Sequence, residues 1–202
     1  MSPLKRLSAQ LRKVKHYGEL SEVGDIARRY FAMNAFDGVL TIIGVLVGSY
    51  TAGVSQGKIV VTTGMATALA MGISGLWGAA LTETAERKRS LDQLEAATLS
   101  NLADTRLARA SQVAVVVVTL ADALAPVASS LLVLVPFFLV SLIGEITTAY
   151  YLSLALGLMT LFALGIFLGL ISKSNLVITG LKTVSAGIVS IIIGFLLRPG
   201  AA

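Results

Sequence analysis

Residues 30–50, YFAMNAFDGVLTIIGVLVGSY, pass through an asparagine and an aspartate into an almost unbroken apolar stretch. About 20 mostly apolar residues are enough for a helix to cross the hydrocarbon core of a bilayer. The stretch therefore reads as a membrane span, and Asp37 stands inside it. A charge at that depth costs about 2.5–3.5 kcal/mol on insertion scales, so the carboxylate needs a partner or a task.

The rest of the chain fits that setting. Of its 202 residues, 55% are hydrophobic and 13% charged, and the mean hydropathy is +0.84. A soluble domain carries about 25% charged residues, so this chain cannot cover itself with a water-facing surface. Five stretches are predicted to span: 33–54, 59–82, 112–141, 147–171 and 176–197. The fold class expected is all-α, a polytopic bundle of five transmembrane helices. The third stretch holds Pro126 and Pro136. It is expected to bend near Pro126, end at Pro136 and reach Glu145 through an extended connection.

Lys and Arg set the orientation. Seven lie in the arm before the first span, five between spans two and three, and Lys173 and Lys182 fall on the same side. Only Lys58 and Arg198 fall on the other, giving 14 against 2. The N-terminus is expected in the cytoplasm and the C-terminus outside.

Residues 1–32 form a basic arm in which Leu4, Leu7, Leu11 and Val14 share a helical stripe. That pattern suits a helix lying on anionic lipid, with a disordered tail as the alternative. The opening residues are polar and basic, so no secretory signal is expected. His16, the single histidine, reads as solvent-facing. Residues 83–111 are predicted to continue span two into the cytoplasm and turn back into span three. Residues 112–197 hold the last three spans and 198–202 a tail.

The absence of cysteine excludes disulfides and thiolate metal sites. No phosphate-cradling loop or serine–histidine constellation is present, so an enzyme, a bound cofactor and a nucleic-acid partner are not expected.

Inside span one, Asn34, Asp37, Thr41, Gly44 and Gly48 are spaced three, four, three, four and share one helix face. Gly44-x-x-x-Gly48 is a common packing device, but packing does not need the aspartate. Span two carries a comparable face of Thr67, Met71, Gly75, Gly78 and Thr82, with Ser74 beside it. Met71 reads either as apolar filler or as a thioether ligand suited to a transition metal.

Span three adds Thr119 and Asp122. Pro126 lacks the N–H that would bond the Asp122 carbonyl, which frees an oxygen there. Asp122 is either part of an ion path or a structural partner of Lys182. Glu83 with Glu86, and Asp92 with Glu95, are i,i+3 pairs that can gather a divalent cation. The interleaved Arg87, Lys88 and Arg89 equally permit salt bridges. Acids, an amide and hydroxyls within apolar spans fit a cation path better than a neutral or anion pore.

NAFDGVLTIIGVLVG at 34–48 resembles the first-span signature of the vacuolar iron transporter family. AMGISGLWGAALTE, ALAPVASSLLVLVPFFL and GLKTVSAGIVSIIIGFLL resemble its second, third and last spans. The resemblance covers about residues 28 to 197 and implies a dimeric exporter of Fe²⁺ or Mn²⁺ coupled to protons, its ion path at the dimer interface. It implies that Asp37 is the intramembrane metal aspartate. Two features depart from the family: Leu76 stands where a glutamate is usual, and the cytoplasmic segment is much shorter than in eukaryotic members.

The expected function is export of divalent transition metal from the cytosol by proton antiport. Asp37 would be the central ligand, Asn34, Thr41 and Met71 would complete the shell, and Glu83 and Glu86 would gather ions. The expected partners are the metal ions, the bilayer, anionic lipid at the arm, and a second copy of the chain. The expected location is a prokaryotic plasma membrane. The alternatives are a non-transporting scaffold that binds lipid or a partner, and a carrier of monovalent cations.

Overall fold

The computed structural model describes residues 23–102 and 105–197. Residues 1–22 of the basic arm, with the amphipathic stripe and His16, and the C-terminal tail 198–202 lie outside the described residues, while residues 23–32 of the arm are helical. Every regular element among those described is helical: α1 Val23–Thr51, α2 Gly57–Thr98, α3 Arg106–Phe138, α4 Val140–Ile143, α5 Ile146–Ser172 and α6 Leu176–Leu196. By length and composition, α1, α2, α5, α6, and α3 taken with α4, are each fit to cross a membrane. The described residues are all-α with five candidate crossings.

Helix and span do not coincide. At about 1.5 Å per residue, the 42 residues of α2 extend to roughly 63 Å, twice the hydrocarbon thickness. A single crossing therefore accounts for only about half of it, and the second half is polar. The turn that follows is closed by side chains. The Glu95 carboxylate accepts the Leu102 N–H at 2.6 Å, Leu99 takes a positive φ of 51°, and the Thr105 hydroxyl accepts the Ala108 N–H at 3.3 Å. Glu95 thus serves the turn, while Asp92 is exposed.

The third span departs from expectation. Both Pro126 and Pro136 lie inside α3, which continues to Phe138. The connection to Glu145 is not extended. It contains the single turn α4, capped by Gly144 in the left-handed region at φ 81°. A proline removes one backbone hydrogen bond, and neighbouring helices can hold such a helix together within a membrane.

The chain divides into two compact units. Among the described residues, the first comprises 23–31, 73–102 and 105–123. Its apolar centre is Val23 of α1 against Ala114 and Val118 of α3, with Ile26, Ala27, Tyr30 and Val117 around them. This packing carries α1 back to Val23, well before the span start expected at residue 33.

Among the described residues, the second unit comprises 32–72 and 124–197. Val39, Ile42, Ile43, Leu46 and Val47 of α1 meet Val60, Val133, Leu134, Phe137, Tyr150 and Leu161 in its core. Small residues allow its helices to close up. A Cβ on Gly165 would stand 2.6 Å from the Gly180 Cα, and the Thr183 hydroxyl of α6 donates to the Leu161 carbonyl of α5 at 2.8 Å. Asn175 caps α6 by accepting the N–H groups of Val177 and Ile178.

Candidate functional site

The α1 polar face belongs to the second unit from Asn34 onward. Its orientation is set by Gly38. A Cβ there would lie 2.7 Å from both the Cα and the carbonyl oxygen of Pro126, so only glycine fits. The Ser130 hydroxyl donates to the Gly38 carbonyl at 3.3 Å. Gly38 is buried against α3, and Asp37, about 100° round the helix, is exposed.

The rest of the stripe follows Asp37. Thr41 is half-buried, while Gly44 and Gly48 are exposed, and a Cβ on either glycine would meet nothing within 4 Å. Among the described residues, the two glycines therefore serve no packing contact. Asn34 is half-buried and engaged in an interaction. The Asp37 carboxylate has no hydrogen-bond or ion-pair partner among the described residues.

Met71 also lies in the second unit, half-buried on α2. Asp37 lies fourteen residues before the end of α1 and Met71 fourteen after the start of α2. Equal helical rise puts them at comparable distances, about 21 Å, along their helices from the connection. The hydroxyls of the α2 face are satisfied at home: Thr67 donates to the Thr63 carbonyl at 2.9 Å and Thr82 to that of Gly78 at 2.8 Å. Among the described residues, no three His, Cys, Asp or Glu side chains come together as a metal-holding group.

The other predicted residues belong to the first unit. Glu83 faces Arg87, Nε to Oε2 3.2 Å, with side chains only 12% and 16% exposed. Tyr30 is hydrogen-bonded to the same carboxylate. Glu86 is exposed. The pair Glu83 and Glu86 is therefore unequal, one acid tied into the protein and one open. Leu76, half-buried, puts no ionisable group at its position.

Asp122 is 7% exposed and engaged in an interaction. A Cβ on Gly75 would come 3.0 Å from its Oδ2 and 3.1 Å from its carbonyl oxygen. Gly75 thus allows α2 to close over the carbonyl that Pro126 leaves without its usual donor. One turn away, the buried Thr119 hydroxyl has no hydrogen-bond partner among the described residues. Lys182 belongs to the second unit, where it is exposed.

Sequence reasoning missed Gly38 and Tyr30. Gly38 follows Asp37 directly in NAFDG, and a glycine fixed beside a membrane carboxylate was its available signal. Tyr30 had none, because its contact is with a residue far along the chain.

Comparison with known proteins adds one relative. The chain is 29% identical over 178 residues to MJ0645 of Methanocaldococcus jannaschii, described as an uncharacterized protein, covering 87% of this chain and 90% of that one. No protein-family profile matches. No solved structure matches.

Proposed function

We propose that the chain is a transporter that exports a divalent transition metal, Fe²⁺ or Mn²⁺, from the cytosol, with Asp37 as the central ligand. One observation carries the reading: a carboxylate within a membrane span stands on an exposed helix face with no hydrogen-bond or ion-pair partner among the described residues. Left in lipid, that arrangement is costly. A second copy covering the stripe of Asn34, Asp37, Thr41, Gly44 and Gly48 removes the cost. It also doubles the oxygen donors, which a hard divalent ion needs in number.

A deprotonated Asp37 binds the ion and a protonated one releases it, which gives proton antiport a physical basis. Met71 would supply the softer donor that favours a transition metal over Ca²⁺ or Mg²⁺. The Lys and Arg asymmetry supports an N-terminus in the cytosol and a C-terminus outside. The resemblance to vacuolar iron transporters supports the same direction of transport, and a prokaryotic plasma membrane is the proposed location.

The scaffold reading draws its support from Glu83, whose carboxylate is taken up by Arg87 and Tyr30. Purified protein in sealed vesicles, assayed for Mn²⁺ entry with a trapped metal-sensitive dye under a pH gradient, separates the two. The transporter gives Mn²⁺ flux that collapses with the gradient. A scaffold gives none, and a monovalent carrier moves protons or Na⁺ while ignoring Mn²⁺.

A further inference from the structure

In the first unit, a cavity of about 400 Å³ opens between α2 and α3. Thr84, Arg87, Lys88, Ser111 and Gln112 supply its polar lining, with Leu91 among its apolar walls. A smaller lobe of about 190 Å³ shares Arg87, Leu91 and Ser111 with it. The larger cavity has two cationic residues in its lining and no carboxylate.

Its depth follows from the sequence. The apolar run of α2 closes near residue 82 and that of α3 opens near 112. Thr84, Arg87 and Lys88 therefore sit in the first two turns beyond the lipid, while Ser111 and Gln112 mark its edge on the facing helix. Val115, also in the lining, lies just inside it. The cavity spans the level at which phospholipid phosphates meet their acyl chains.

The cations are placed to receive an anion. Lys88 is exposed and has no ion-pair or hydrogen-bond partner among the described residues. Glu83 takes Arg87 through Nε, and the remaining guanidinium donors are on the two Nη atoms. Basic pockets between membrane helices at this level suit anionic headgroups.

We propose that this cavity is a binding site for an anionic phospholipid. Lys88 and Arg87 meet the phosphate, Thr84, Ser111 and Gln112 supply neutral hydrogen bonds, and the Leu91 and Val115 walls take the start of an acyl chain. The site is independent of metal transport and of Asp37.

Full-length protein in detergent, titrated with phosphatidylglycerol or phosphatidylcholine and read by native mass spectrometry, tests it. Phosphatidylglycerol should bind in preference to phosphatidylcholine. Lys88→Gln should weaken it about fivefold, the effect of one cation near an anionic surface. Ser111→Leu, which fills the cavity without changing charge, should weaken it at least as much. Arg106→Gln removes an exposed cation outside the lining and should leave binding unchanged. Equal losses from Lys88→Gln and Arg106→Gln would mean diffuse attraction and overturn the site, as would equal binding of the two lipids. Displacement by millimolar inorganic phosphate would reassign the cavity to a soluble anion.

Discussion

The Gly38 carbonyl accepts a hydrogen bond from the Ser130 hydroxyl, at 3.3 Å. Together with the Pro126 backbone pressed against the Gly38 Cα, this contact fixes the rotation of α1. Asp37 faces away from α3 because Gly38 faces toward it.

Gly38→Ala should be costly for that reason. A Cβ 2.7 Å from the Pro126 backbone has no flexible side chain to push aside. Overpacking of this kind costs about 1–3 kcal/mol, which should appear as a clear fall in melting temperature in detergent. Gly44→Ala, where the added Cβ meets open space, should leave the same melt almost unchanged. Equal melts for both variants would remove Gly38 as the element that orients Asp37.

The open glycines should matter between chains instead. Gly44→Leu with Gly48→Leu should leave each chain folded, since a Cβ at either position finds nothing within 4 Å, yet weaken self-association. Light scattering in detergent reads the outcome as a shift from dimer toward monomer. A dimer that persists unaltered would place the interface on another face and take the proposed ion path with it.

Glu83 and Arg87 offer a test of structure against ion gathering. Removing one partner of a buried pair costs about 3–5 kcal/mol because the other charge is stranded, whereas an apolar replacement of both is far milder. Glu83→Gln should therefore destabilise more than Glu83→Met with Arg87→Met. Should the double variant melt normally and still move Mn²⁺ at the native rate, Glu83 has no part in collecting ions.

The five long apolar helices were legible because a helix fit to cross lipid needs a set length, and apolar runs reveal it. Their ends were not. Pro136 looks like a stop in the sequence, but α3 passes through it to Phe138. The α1 stripe was legible as a face, since spacing alone fixes which residues lie together. Spacing cannot say what covers that face. Gly38, Gly44 and Gly48 look alike in sequence, yet the first meets the Pro126 backbone and the other two meet nothing. Likewise the Glu83–Arg87 pair was visible as an i,i+4 spacing, while the Tyr30 contact with Glu83 depends on tertiary folding.

Asp37→Asn should separate ligand from scaffold. The substitution keeps the volume and removes the charge, and an amide is cheaper than an unpaired carboxylate in an apolar setting. Asp37 has no hydrogen-bond or ion-pair partner among the described residues, so none of them is stranded by the change and the melting temperature should hold or rise. Mn²⁺ flux in vesicles should nevertheless fall to the level of empty vesicles, because the amide cannot exchange a proton for the ion. Asp122→Asn should show the opposite balance, with a larger loss of stability than of flux, since Asp122 is buried at the close approach of Gly75. Native flux from Asp37→Asn would remove the ligand role, and the acid would then have to be explained by association between chains alone.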